Sequence, residues 1–263
     1  SAADYYKDLE VHPFGVEDNM RLLRVGNPVL SANGRTIVFT VSQSQMPDFQ
    51  RRATTLWGVQ LAPNESWLNT TAAPVQLTQP TWGVSDSSPQ WGPNDKTIFF
   101  LSNRNQTNQI WQATYDHVPK WPKFLSIAQV SNLPIDIDTM LISPKFDLVM
   151  FSAQVYAGMT IPQSIARDQA RAAFGGNYKQ FNRLYVRHWD TWVEKRNQLF
   201  AASFTVPATG VSVWGKYVNV ANVDSDIPTR PFGDSGEWSF SPDGTKFVFC
   251  RQHDEFANVS WNT

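Results

Sequence analysis

The chain has 263 residues, of which 22 are basic and 23 acidic, giving a net charge of −1, and 41% of it is hydrophobic. That is enough apolar material for the core of one large domain or two small ones. The balanced charge, with no basic block, excludes a nucleic-acid partner, and apolar runs such as residues 97–101 are far too short to span a bilayer.

Taken in chain order, the elements begin with a phrase that recurs. Leu30-Ser31-Ala32-Asn33-Gly34-Arg35-Thr36-Ile37-Val38-Phe39 joins a turn to an apolar strand. Asn-Gly tolerates the positive φ of a tight turn, and β-branched and aromatic residues suit the strand that follows. Residues 55–61 and 75–78 read as the next two strands. The phrase returns as Trp91-Gly92-Pro93-Asn94-Asp95-Lys96-Thr97-Ile98-Phe99-Phe100, followed by strands at 109–114 and 126–130. It returns again as Ile142-Ser143-Pro144-Lys145-Phe146-Asp147-Leu148-Val149-Met150-Phe151 and as Phe240-Ser241-Pro242-Asp243-Gly244-Thr245-Lys246-Phe247-Val248-Phe249. The copies start at residues 32, 93, 144 and 242, so the intervals are 61, 51 and 98 residues. The first two intervals match one four-stranded propeller blade.

The long interval holds a predicted helix over 160–176. Thr160 can cap it, Pro162 suits its first turn, and Gly175-Gly176 stops it. Ala166, Ala170, Ala173 and Phe174 form the expected apolar face. Strands resume at 183–186 and 199–204. The expected fold class is all-β, a partial β-propeller of three to four four-stranded blades with a short helical insertion. Blade 1 covers about 27–80, blade 2 about 86–131, blade 3 with its insertion about 137–222, and the start of blade 4 about 236–263. The 11 Trp residues are expected to pack mostly between blades. Cys250, the one cysteine, follows an apolar strand and is expected to be a buried, inert thiol.

Both ends of the chain, Ser1 and Thr263, read as cut, and no signal peptide is visible. An incomplete propeller would leave a strand edge and an apolar face uncovered, which leads to the expectation of a longer working protein.

Several segments together resemble the prolyl oligopeptidase superfamily of serine peptidases. Val16-Glu17-Asp18 with the run Arg24 to Ser31 resembles the entry to the first blade of acylaminoacyl-peptidase and dipeptidyl-peptidase V-like members. The segment Leu133-Pro134-Ile135-Asp136-Ile137-Asp138 resembles that family's approach to a middle blade. Leu184-Tyr185-Val186-Arg187-His188-Trp189-Asp190-Thr191-Trp192 is similar to its Arg-His-Trp-Asp segment, and Pro231-Phe232-Gly233-Asp234 with Glu237-Trp238 also fits. The resemblance implies a propeller that caps an α/β-hydrolase domain bearing a Ser-Asp-His triad, and peptide substrates admitted past the propeller. The G-x-S-x-G elbow that would hold the serine is missing from this sequence. Gly233-Asp234-Ser235-Gly236 has its second glycine one place early and reads as a loop. No catalytic residue is therefore assigned, and the chain alone is expected to be inactive.

Candidate substrate-binding residues are Arg187, His188, Trp189, Asp190, Glu194 and Glu237. The first four combine a cation, an acid and an aromatic within one short segment, and the same residues could equally form a structural ion pair with Trp packing. Glu194 and Glu237 are carboxylates able to hold a peptide's N-terminal ammonium. An adjacent Glu-Glu pair of the dipeptidyl-peptidase IV branch does not occur. His12, His117 and His253 lack metal-ligand spacing, and no motif implies a metal or cofactor. Sequons at Asn64, Asn69, Asn105 and Asn258 are candidate glycosylation sites and point to a secreted or lumenal location. The alternative function is a non-catalytic binding propeller of the TolB-like kind.

Overall fold

The computed structural model describes residues 13–46, 50–62, 64–115, 124–176, 178, 180, 187–188, 191–230 and 233–251. Three four-stranded antiparallel sheets follow one another along the chain. The first holds β1 (Arg24–Leu30), β2 (Thr36–Ser44), β3 (Arg52–Gln60) and β4 (Val75–Gln76). The second holds β5 (Asp86–Trp91), β6 (Thr97–Asn105), β7 (Thr107–Tyr115) and β8 (Phe124–Gln129). The third holds β9 (Thr139–Ile142), β10 (Leu148–Val155), β13 (Arg196–Thr205) and β14 (Val213–Asn219). A short hairpin of β11 (Arg187–His188) and β12 (Thr191–Trp192) lies within the connection from β10 to β13. A fourth sheet is formed by β15 (Trp238–Phe240) and β16 (Phe247–Phe249). Two α-helices are described, α1 (Val16–Arg21) and α2 (Ile161–Phe174).

The recurrent phrase is the turn between the first two strands of each sheet. Ser31 N–H bonds Thr36 O, Gly92 N–H bonds Thr97 O, Ser143 N–H bonds Leu148 O, and Ser241 N–H bonds Lys246 O. The fourth residue of each turn is left-handed: Gly34 (φ 70°), Asp95 (52°), Phe146 (57°) and Gly244 (65°). Glycine fits two of these positions without cost, and Asp tolerates the third.

Alternation along the strands explains how the sheets stack. On β6, Ile98 and Phe100 pack with Val38 and Leu56 of the first sheet, while Phe99 and Leu101 pack with Phe151 and Phe200 of the third. On the third sheet, Val149 and Phe151 turn toward the second, while Met150 and Leu199 pack with Trp238 and its neighbours in the fourth. The middle sheets are therefore apolar on both faces, which a period-two strand achieves with a continuous run of large residues. Polar clasps join the first strands of successive sheets. Trp91 donates to Val29 O at 3.2 Å. Gln90 donates to Met140 O at 2.7 Å and accepts from Ile142 N–H at 3.0 Å. At the turns, Asp95 accepts the Ala32 and Asn33 amides at 2.8 and 3.0 Å. The fold is all-β and propeller-like. The described sheets stack in chain order and do not close into a ring.

Two expectations are corrected. Helix α2 forms with its predicted start and stop, a Thr160 capping box and Gly175 at φ 66°. Its buried side, however, is Ile161, Ser164 and half-buried Ile165, while Ala166, Ala170, Ala173 and Phe174 are exposed. The core accepts the two isoleucines of the first turns, and the alanine stripe faces outward. Cys250 is exposed rather than buried. It follows β16 on the side of Val248, which is itself 66% exposed, opposite the face that Phe247 and Phe249 turn toward the third sheet.

Candidate functional site

The connection from β10 to β13 builds a polar pocket. Val155 and Arg196 are the last pair of that ladder, so Tyr156 and Lys195 leave the sheet side by side. The chain then turns through Gly158, and Thr160 starts α2 by accepting from the Gln163 amide. Ile161 and Ile165 dock on the core between the second and third sheets. Ser164 is buried and its Oγ accepts from Tyr156 N–H at 3.1 Å. These contacts lay α2 across Tyr156. Its Asp168 and Arg171, three residues apart and hence on one helix face, then point at the segment that leads into β13.

The pocket is lined by Gln154, Tyr156, Asp168, Arg171, Trp192, Glu194 and Lys195 and measures about 300 Å³. Tyr156, only 4% exposed, sits at its centre. Its hydroxyl donates to Asp168 Oδ1 at 2.9 Å and accepts from Arg171 at 3.2 Å. Arg167 stacks on its ring at 4.0 Å. Asp168 is paired with Lys195, and Arg171 with Glu194. Glu194, with Tyr156 behind it, holds the Arg171 guanidinium above its already high ordinary range. The pocket thus offers two carboxylates, two cations, an amide and two aromatic faces, which is binding chemistry for a small charged ligand.

Of the sequence candidates, Glu194 lines this pocket. Arg187 and His188 form β11 opposite Trp192 and Thr191. Their side chains, with Trp189, Asp190 and the glycosylation candidate Asn258, lie outside the described residues. Glu237 is elsewhere. Its two carboxylate oxygens accept from the Thr229 amide at 2.7 Å and the Thr229 hydroxyl at 2.5 Å, which pins the loop before β15. Asn64, Asn69 and Asn105 are exposed, and Asn105 Nδ2 donates to Gln129 at 2.5 Å. Tyr156, Asp168, Arg171 and Lys195 were missed by the sequence reading. The signal available was Asp168 and Arg171 continuing the helix stripe that begins at Ile161 and Ile165.

Other charged groups serve the frame. Asp86, 1% exposed, has both carboxylate oxygens bonded by one Arg104 nitrogen at 2.6 Å and accepts a hydrogen bond from Ser102. Asp226 is fully buried between Arg196 and Arg230 and accepts the Asn197 amide at 2.7 Å. Among the described residues no group of three or more His, Cys, Asp or Glu stands close enough to hold a metal ion. No described helix is long and apolar enough to cross a membrane.

No protein-family model matches the chain. It is 26% identical over 262 residues to dipeptidyl-peptidase 4 of Giardia intestinalis, an alignment covering 90% of this chain and 33% of that protein. The chain is thus similar in sequence to a dipeptidyl-peptidase. Dipeptidyl-peptidase 5 of Trichophyton equinum is 26% identical over 122 residues, which is 45% of this chain and 16% of the relative. Dipeptidyl-peptidase 5 of Arthroderma otae reaches 31% over 86 residues, 32% of this chain and 12% of the relative. The chain thus spans a third or less of the length of these curated relatives. The first alignment runs through the stacked sheets and the α2 pocket together, since it covers 90% of the chain.

Proposed function

We propose that this chain is the substrate-gating propeller portion of a serine exopeptidase that hydrolyses short peptides, of the dipeptidyl-peptidase V or acylaminoacyl-peptidase kind. The observation that carries this reading is the similarity to dipeptidyl-peptidase 4 across 90% of the chain, joined to the stack of four-stranded sheets. In this reading the nucleophilic serine sits in an α/β-hydrolase domain elsewhere in the same protein. The sheets restrict access, so that only short or unfolded peptides reach it. The pocket beneath α2 receives a charged end of the peptide, with Glu194 exchanging Arg171 for the substrate ammonium by a charge-assisted hydrogen bond. The exposed sequons at Asn64, Asn69 and Asn105 support a secretory route.

The test compares the 263-residue chain with the full protein that carries it, on dipeptidyl and N-acyl chromogenic substrates and with a serine-reactive fluorophosphonate. The full protein is expected to turn over one substrate class and to be labelled, and the chain alone to do neither. Glu194→Gln in the full protein is expected to raise KM about tenfold with kcat little changed, as loss of one charge-assisted contact predicts. Labelling and turnover by the chain alone would overturn the proposal. A full protein that lacks a hydrolase domain would favour a non-catalytic binding propeller.

A further inference from the structure

Helix α2 is fastened to the protein unevenly along its length. Its first turns are anchored by the capping box at Thr160, by buried Ile161 and half-buried Ile165 in the core, and by buried Ser164 bonded to the Tyr156 amide. From Gln169 to Phe174 every residue is exposed. The apolar residues of that half, Ala170, Ala172, Ala173 and Phe174, are all exposed, Phe174 at 70%. What ties this half back is polar. Asp168 bonds Lys195 and the Tyr156 hydroxyl, and Arg171 bonds Glu194 and the same hydroxyl.

The two ion pairs are crossed. The helix gives an acid to Lys195 and a base to Glu194, which are neighbours in sequence. All four side chains keep solvent contact, at 41% for Asp168, 27% for Lys195, 40% for Arg171 and 18% for Glu194. Water and salt therefore compete for each partner. This half of the helix buries no apolar side chain of its own, and lifting it would uncover part of the Tyr156 ring, so the hydrophobic effect opposes it only there. Left-handed glycines, Gly158 and Gly175, flank the helix.

We propose that the C-terminal half of α2, from Asp168 to Phe174, is a movable wall of the pocket, latched by the crossed Asp168–Lys195 and Arg171–Glu194 pairs. Small ions, or a ligand carrying both an ammonium and a carboxylate, release it by taking those partners. The anchored first turns act as the hinge. This inference stands apart from the peptidase reading, because it rests on the pocket alone.

Hydrogen exchange read by mass spectrometry on the chain tests it. Raising NaCl from about 0.05 to about 1 M shortens the screening length to a few ångströms and should weaken both pairs. Amides of 168–174 are expected to exchange roughly threefold to tenfold faster, while β10 and β13 stay protected. Asp168→Asn should reproduce the effect at low salt. The exchanged pair Asp168→Lys with Lys195→Asp should restore protection. Exchange that ignores both salt and Asp168→Asn would overturn the latch. So would exchange that rises equally in β10 and β13, or a charge exchange that fails to restore protection.

Discussion

At the turn that opens the fourth sheet, Asp243 accepts from the Ser241 hydroxyl at 2.6 Å and from the Thr245 amide at 3.0 Å. Those bonds, the Ser241 one foremost, lower its pKa to about 2. A depressed carboxylate favours the fold above its unfolded value of about 3.9, and that contribution fades as pH falls toward the folded value. Asp243→Asn is therefore expected to lower the urea midpoint at pH 6, with the gap from the parent closing by about pH 2. A gap independent of pH would contradict this. Asp138 shows the opposite sign. Its residue still meets solvent, yet protein crowds the carboxyl, and this desolvation raises its pKa against the pull of Arg230 and a hydrogen bond with Gln154. Its charged form is disfavoured in the fold, so its contribution is full below the unfolded pKa and is lost as pH rises through the folded one. Asp138→Asn should melt higher than the parent at pH 7 and alike near pH 3. Turn chemistry of this kind was legible in the sequence, because Ser, Pro, Asp and Gly act on their own backbone within four residues. The exposure of Cys250 was not, because it depends on which face of β16 another sheet covers.

Among the elements, α2 separates what local rules reach from what they miss. Its boundaries follow from Thr160, Pro162 and Gly175, whose effects are local, and Thr160→Ala should cost about 1 kcal/mol in thermal or urea unfolding. Its buried side did not follow, because three of the inward residues, Ser164, Asp168 and Arg171, are polar, so the more apolar stripe looked like the core side. Strand positions were legible where apolar runs were continuous, as at Ile98 to Leu101. The clamps between strands and loops were hidden. Gln198, 1% exposed, donates to Val223 O and Ser225 O at 2.9 Å, and Gln109, fully buried, holds Leu133 and Ile135 in the same manner one sheet earlier. A glutamine in a strand carries no sequence signal of that role, since its partners lie more than twenty residues away. Gln198→Leu leaves buried carbonyls unpaired and should destabilise by about 2–4 kcal/mol in denaturant unfolding.

On the scale of the molecule, the sheets stack because each middle strand is apolar on both faces. Phe151→Ala, in the stacked pair with Phe200 at 5.1 Å, should therefore cost about 3–5 kcal/mol by loosening the junction of the second and third sheets. The same logic makes the first sheet informative. Leu30, Ile37, Phe39, Trp57 and Val59 share the face turned away from the second sheet, and none of them is buried. A propeller needs a further sheet on that face, in line with the others and with β1, β5, β9 and β15 around one axis. A cryo-EM structure of the full protein reads this directly. Another four-stranded sheet packed on Leu30, Phe39 and Trp57, with an α/β-hydrolase domain capping the ring, is the result expected here. That face left in solvent, or packed against a single large sheet as a sandwich, would contradict it.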